Sequence, residues 1–330
     1  MQWNKVYVID AMSGIRGLPE ASVRAVVTSP PYFRQRDYGC PGQWGQEDSP
    51  DEYVKHLVEL FRDLRRVLVD DGTVWLVLGD SYASTGRGGQ SGRQKYGQDY
   101  GPASGLHDGI KRKDLLGIPW TVAMALRKDG WYLRQDIVWF KTNPMPESVK
   151  DRCTRCHEYI FMFSKNERYY YDHLAIATPL SLAARLRMQQ DISNQKGSNR
   201  AWGKANGPMK ASFTLGKQDG HGRRHEGFNE RRANAADLPM VANRKSVWPI
   251  ATAMTKEDHY ASFPAGIPQL CIKAGSREGD LILDPFAGTG TTLLQASILG
   301  RRYMGFDLNE KYVGIAKRRL KELEGIFYKG

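Results

Sequence analysis

Two short segments near opposite ends of the chain share one local pattern: an apolar run rich in β-branched residues is cut off by a tight turn. Arg24-Ala25-Val26-Val27 leads into Thr28-Ser29-Pro30-Pro31-Tyr32, and Leu281-Ile282-Leu283 leads into Asp284-Pro285-Phe286-Ala287-Gly288-Thr289-Gly290-Thr291-Thr292. A buried strand ending in a Pro- or Gly-rich turn is how open α/β sheets build ligand sites at their strand ends. A chain of 330 residues can bury one large core, or one core with an appended module.

The intervening pattern supports such a sheet. Strands are expected at Lys5 to Asp10, Ala25 to Thr28, Thr73 to Leu78, Tyr132 to Phe140, Glu158 to Phe163, Leu281 to Leu283 and Tyr303 to Asp307. Helices are expected at about Asp51 to Val69, stopped by Asp70-Asp71-Gly72, and at Asp114 to Lys128, Ile267 to Ala274, Thr291 to Leu299 and Glu310 to Leu323. Ile15 to Ala21 reads as a turn-rich connection, and Phe33 to Pro50 and Lys141 to Arg155 read as loops. Alternating strands and helices imply a mainly parallel sheet covered on both faces. Residues 84–112, rich in Gly, Ser, Gln and Arg, cannot bury a core and read as a mobile loop. From 172 to 245 periodicity weakens after a helix at Leu180 to Gln190. The expected organisation is therefore two halves of one domain, 1–171 and 246–330, with an inserted region at 172–245.

Charge sharpens this division. Lys and Arg number 48 against 36 Asp and Glu, a formal charge of +12. The segment Asp172 to Lys245 holds thirteen basic and six acidic residues, a net +7. A basic surplus concentrated in one polar segment is the electrostatic footprint of a polyanion-binding surface. Arg223, Arg224, Arg231, Arg232, Arg244 and Lys245 are its candidate contacts, and Trp202 is a candidate anchor for the region's own core. No apolar run reaches the roughly 20 residues of a bilayer span, and Met1 to Lys5 lacks a secretion-signal pattern, so a cytoplasmic protein is expected. Four scattered cysteines make no disulfide framework.

The turns carry the chemistry. Gly288 and Gly290 allow close approach to bare backbone, and the helix starting near Thr291 offers free N–H groups. No lysine follows Gly290, which argues against a phosphate-binding loop. Asp307, 17 residues beyond Gly290, stands at a strand end where a carboxylate can accept both hydroxyls of a ribose. In the first turn, the Ser29 hydroxyl and the Pro30 carbonyl can accept the two hydrogens of an exocyclic amine. Proline pre-aims that carbonyl, and Tyr32 offers a ring for stacking. Cys153-Thr154-Arg155-Cys156-His157 has a haem-attachment spacing, but no export feature accompanies it and no second ligand pair is evident, so no metal is expected.

The two motifs together resemble those of the S-adenosylmethionine-dependent DNA amino-methyltransferases, with their Asp/Asn/Ser-Pro-Pro-aromatic and Asp-Pro-Phe-x-Gly-x-Gly-Thr-Thr signatures. Their order, with the catalytic motif first, a basic region between and the cofactor motif last, resembles the circularly permuted β group. The resemblance spans nearly the whole chain and is weakest in 84–112 and 172–245. It implies a Rossmann-like mixed sheet with helices on both faces. Ser29, Pro30, Pro31 and Tyr32 would be catalytic. Asp284, Phe286, Gly288, Gly290, Thr291, Thr292 and Asp307 would hold the cofactor, with Asp10 near its adenine. His259 to Pro264 is similar to a third family motif, placing Ser262 and Phe263 near the methionine tail. Arg152 to Glu158 fits a fourth, with cysteines substituted, in which His157 and Glu158 would brace the base pocket or an adjacent loop. Serine at the first catalytic position is associated in the family mainly with N4 of cytosine, and the alternative is N6 of adenine. Duplex DNA with an extruded base is the implied substrate, and a restriction endonuclease a frequent companion. A non-catalytic nucleic-acid-binding protein on this fold is the rival of another class.

Overall fold

The computed structural model describes residues 1–83, 110–183, 185, 241–252 and 263–327. Residues 84–109, Trp202 and most of the basic region, for which a mobile loop, an anchor and a polyanion-binding surface are expected, lie outside them. The chain divides into two compact units, residues 1–176 with 245–330, and residues 177–244.

The first unit is built on an eight-stranded sheet. In chain order its strands are β1 (Lys5–Val8), β2 (Val23–Thr28), β3 (Leu68–Leu78), β4 (Tyr132–Phe140), β5 (His157–Ser164), β8 (Val247–Pro249), β9 (Leu281–Asp284) and β10 (Arg302–Asp307). They lie in the order β1-β10-β9-β2-β3-β5-β4-β8, all parallel except β5, which runs against both neighbours. In the second unit, β6 (Thr178–Pro179) pairs antiparallel with β7 (Val241–Ala242).

Apart from register shifts at Val23/Ala25 and Leu133/Gln135, side chains alternate across the sheet, as a pleat requires. Val26, Val74, Leu76, Leu78, Phe161 and Phe163 face one core with α1 (Ala11–Arg16), α2 (Pro50–Val67) and α3 (Ile118–Lys128). Ala25, Val27, Trp75, Val77, Ile160 and Met162 face the other with α4 (Gly266–Gly275), α5 (Thr291–Ile298) and α6 (Glu310–Phe327). A sheet buried on both faces is the Rossmann-like arrangement expected. Among the described residues no helix is long and apolar enough to cross a membrane.

Local chemistry sets the boundaries. Ser49 caps α2 by accepting from the Glu52 amide at 3.1 Å, and the Glu52 carboxylate accepts from the amide of Asp48, just outside the cap, at 3.2 Å. Several expected boundaries are corrected. Ile15 to Ala21 is not merely a connection, because Asp10 caps the short helix α1 through the Ser13 amide. Asp70-Asp71-Gly72 does not end α2, which stops at Val67; the three residues lie inside β3, whose pairing with β2 begins at Leu68. A side chain at Gly72 would collide with Leu68 and the Arg24 carbonyl, so this crossing requires glycine. Helix α3 starts at Ile118 rather than Asp114, since Gly117 is left-handed (φ +72°) and the buried Asp80 carboxylate accepts from the Gly117 and Ile118 amides.

Strands β2 and β9 are neighbours, with Ala25 opposite Ile282 and Val26 opposite Leu283. From β2 the chain moves to one side of the sheet, and from β9 to the other. The order therefore reverses between them, and a crevice opens beyond their carboxyl ends. Ser29 and Pro285 are the first residues past those ends.

Candidate active site

A cleft of about 780 Å3, open to solvent, occupies this switch point. Of the expected residues, Asp10, Ser29, Pro31, Phe286, Gly288 and Asp307 line it. Two segments of chain separated by more than 250 residues thus meet at one cavity.

The Gly-rich turn after β9 is held from below. The Gly288 amide donates to Asp307 Oδ2 at 2.8 Å, and the Asn309 amide donates to Oδ1 at 2.8 Å. Burial raises the Asp307 carboxyl above its ordinary range, and these two amides pull it back. Each oxygen keeps a further lone pair for a ligand hydroxyl. Gly288 sits at φ +51° with open space where a side chain would stand, whereas Gly290, at φ +82°, has Ala316 Cβ 2.9 Å from that position. One glycine leaves the cleft open and the other admits α6.

Asp284 has a different task from the expected one. It is buried, takes the Thr28 hydroxyl at 2.7 Å and the Phe286 amide at 3.1 Å on Oδ1, and takes the Thr292 hydroxyl at 2.7 Å on Oδ2. Burial pushes its pKa up to about 6 against the pull of Thr292 and Thr28. Asp284 and Thr292 are spent on joining β2, β9 and α5, and neither lines the cleft; nor do Gly290 and Thr291. Phe263 packs against the second core, and Ser262 lies outside the described residues.

The Ser-Pro-Pro-Tyr turn after β2 is equally braced. Tyr53 donates its hydroxyl to the Pro31 carbonyl at 2.9 Å. Pro30 is buried, and neither it nor Tyr32 is among the residues that line this cleft. The Tyr32 hydroxyl donates to Glu158 Oε2 at 2.7 Å and lies 3.4 Å from Ser29 Oγ. Lys141 Nζ donates to Glu158 Oε1 at 2.5 Å. Burial first, then the charge of Glu158, pushes the Tyr32 phenol well above its ordinary range, so it stays protonated. Glu158 thus braces the turn itself, while His157 packs edge-on against Tyr159.

Several cleft residues escaped the sequence reading. The loop after Tyr32 folds over the cavity and contributes Tyr38, Cys40, Gln43 and Trp44; Asn309 and Tyr312 close the far side. Trp44 meets Phe286 edge to face at 5.4 Å, and Tyr38 meets Tyr312 at 6.1 Å. These walls suit a planar ring, and the carboxylates suit its hydroxylated sugar. Arg244 is half-buried and Lys245 exposed, each in its own unit, while Arg223, Arg224, Arg231 and Arg232 lie outside the described residues. No group of three or more His, Cys, Asp or Glu able to hold a metal occurs among the described residues.

Residues 23–318 match the DNA methylase family of N6 and N4 methyltransferases. The chain belongs to that family. Its relatives include the Type II methyltransferase M.SmaI of Serratia marcescens, 41% identical over 321 residues that cover 96% of this chain and 90% of that protein. M.Cfr9I of Citrobacter freundii is 39% identical over 318 residues, covering 94% and 86%. Among solved structures, the PvuII DNA methyltransferase, named as cytosine-N4-specific, superposes with a TM-score of 0.59 at 17% identity, covering 99% and 96% of the chains. TTHA0409 of Thermus thermophilus, complexed with S-adenosyl-L-methionine, gives 0.55 at 23%, covering 96% and 93%. At those identities the likeness is one of fold, and both show this DNA methylase on the same frame.

Proposed function

We propose that this DNA methylase transfers a methyl group from S-adenosylmethionine to N4 of a cytosine extruded from duplex DNA, at a short specific sequence. The observation that carries the reading is that Ser29 lines the same cleft as Gly288 and Asp307. S-adenosylmethionine supplies an electrophilic methyl on a sulfonium. Asp307 would take its ribose, Asp10 and the aromatic walls its adenine, and Phe286 and Gly288 the sulfonium end.

The chain's own part is positioning. A cytosine amine is a poor nucleophile because its lone pair is delocalised into the ring. Ser29 Oγ and the Pro30 carbonyl, each accepting one N–H, favour a pyramidal nitrogen with its lone pair free. Serine is too weak a base to ionise the amine, so orientation and preorganised dipoles lower the barrier. Serine rather than aspartate at residue 29 favours cytosine over adenine. Extrusion is needed because the amine is inaccessible within a stacked pair. Backbone neutralisation falls to the basic segment 172–245, including Arg244 and Lys245. The Type II names of the relatives support a cytoplasmic enzyme that shares its site with a restriction endonuclease. Nucleoside mass spectrometry on DNA from cells expressing the protein should show N4-methylcytosine; N6-methyladenine in its place overturns the choice of base.

The two glycines separate fold from binding. Gly290→Ala should lower stability by about 2 kcal/mol or more, since left-handed strain adds to the clash with Ala316. Gly288→Ala should cost about 1 kcal/mol, yet weaken S-adenosylmethionine binding at least tenfold, because its methyl stands in the cleft. Thermal melts and titration calorimetry read the two effects apart; unchanged binding by Gly288→Ala contradicts the assignment of the turn.

A further inference from the structure

Lys141 and Glu158 flank the base of the β4–β5 hairpin, where Phe140 pairs with His157, and they continue a row that ends at the cleft. The row reads Lys141 Nζ to Glu158 Oε1 at 2.5 Å, Glu158 Oε2 to Tyr32 Oη at 2.7 Å, and Tyr32 Oη to Ser29 Oγ at 3.4 Å. Only Ser29 among the four lines the cavity.

Donor and acceptor capacity fixes the direction of every bond in it. An ammonium can only donate, and an ionised carboxylate can only accept. Glu158 therefore takes the one hydrogen of Tyr32. With that hydrogen committed, the Tyr32 oxygen can only accept from Ser29, so the one hydrogen of Ser29 turns away from the cleft. Its lone pairs are left facing the cavity. At 3.4 Å the last contact is long for a hydroxyl pair, so it imposes direction more than strength. Sterics keep the row in place. A side chain at Gly79 would lie 2.6 Å from Tyr32 Cε2, so the ring rests directly on that backbone, and Lys141 Nζ sits 5.0 Å above the Trp139 ring.

We infer that Glu158, paired with Lys141, is a positioning residue that sets the polarity of the Ser29 hydroxyl through Tyr32, so that Ser29 meets the target amine as an acceptor. The inference rests on the reading of Ser29 as the amine's acceptor. It also gives a reason for a tyrosine, rather than a plain ring, at the fourth position of the turn: the phenol oxygen is the link through which a carboxylate outside the cleft acts on a hydroxyl inside it.

The near-isosteric Glu158→Gln reverses the row. Its amide oxygen must take the Lys141 ammonium, so its NH2 faces Tyr32; the phenol then donates to Ser29, whose hydrogen points at the incoming amine. Turning a preorganised acceptor into a donor should lower kcat about 100-fold, with KM for S-adenosylmethionine held within about twofold. Tyr32→Phe, which frees the hydroxyl without reversing it, should cost about tenfold. The decisive variant is the pair Tyr32→Phe with Glu158→Gln. The reversed amide can no longer reach Ser29, so the double variant should recover to the level of Tyr32→Phe alone. A purely structural role predicts losses that multiply, and that result, or a Glu158→Gln enzyme within threefold of wild type, overturns the inference. Should Glu158→Gln fail to fold, Lys141→Met serves instead: it removes a charge without reversing any bond, should cost less than about tenfold in kcat, and a 100-fold loss contradicts polarity as the cause. Ser29→Ala, assayed alongside, separates the two readings. If it stays active, the reading of Ser29 falls and this one with it; if it is inactive while the double variant shows no recovery, only this one falls.

Discussion

Ser29→Ala is expected to lower the rate of methyl transfer by about 10²- to 10³-fold, the scale associated with deleting one preorganised hydrogen-bonding group at a reacting centre. S-adenosylmethionine affinity should stay within about threefold, since the cofactor turn takes no support from this hydroxyl. The effect should fall on kcat because the surrounding turn has independent anchors. Tyr53 holds the Pro31 carbonyl, and the Arg34 amide donates to the Gly45 carbonyl at 2.7 Å. Gly45, at φ +88°, leaves no room for a side chain against the Tyr32 carbonyl. Loss of the Ser29 hydroxyl therefore removes an acceptor without releasing the backbone that presents it. Single-turnover transfer of a labelled methyl group, with calorimetric titration of S-adenosylmethionine on the same preparation, checks both halves. Retention of more than about a tenth of the rate contradicts the proposed role of Ser29.

What was legible in the sequence was whatever local pattern determines. The ends of β2 and β9 showed as apolar runs stopped by Pro or Gly, and their adjacency follows from the topology that such runs build. The walls contributed by Tyr38, Trp44 and Tyr312 did not show. The loop carrying Tyr38 and Trp44 has no periodicity, and its aromatics gain meaning only where Trp44 reaches Phe286, some 240 residues away. The start of α3 was misplaced because its cap is Asp80, 37 residues upstream of Gly117, a partner that no local window contains. The strand through Asp70-Asp71-Gly72 does not show in the sequence because these residues form an irregularity in the β2–β3 ladder, between the pairs Leu68–Val23 and Thr73–Ala25, where turn-forming residues are tolerated inside a strand. Glu158 was read as a brace, but its bond to Tyr32 joins residues 126 apart in sequence. Asp284 shows the converse error. A motif acid beside a Gly-rich turn looks like a ligand contact, and only burial distinguishes it from a carboxylate that ties strands together.

That buried carboxylate should make the stability of the fold depend on pH with an unusual sign. An aspartate in the unfolded chain ionises near its reference value of 3.8, whereas burial pushes Asp284 up to about 6 in the folded protein. Between those values the folded state holds a proton that the unfolded state has lost. The contribution of Asp284 is therefore fully present below about pH 4 and is lost as pH rises through 6, a change of about 3 kcal/mol. Glu147, Asp114 and Asp151, held below the ordinary range by hydrogen bonds to Arg152, to the Lys111 amide and to Lys113 respectively, act in the opposite direction at lower pH, so the summed curve conceals the effect. The comparison with Asp284→Asn isolates it. An asparagine oxygen can still accept from Thr28 and the Phe286 amide, while its NH2 donates to Thr292, whose hydroxyl turns to the Val27 carbonyl at 3.3 Å. Denaturant titrations from pH 4 to 7 should show wild type losing about 3 kcal/mol relative to Asp284→Asn; parallel curves would rule out a raised Asp284. Asp284→Leu should instead strand the Thr28 hydroxyl and the Phe286 amide, leave Thr292 only the Val27 carbonyl, and cost about 3 kcal/mol or more at every pH. Because Thr28 immediately precedes Ser29, and Thr292 opens α5 beside the cofactor turn, one buried carboxylate holds both turns in register. Asp284→Leu should therefore lower transfer even in molecules that remain folded.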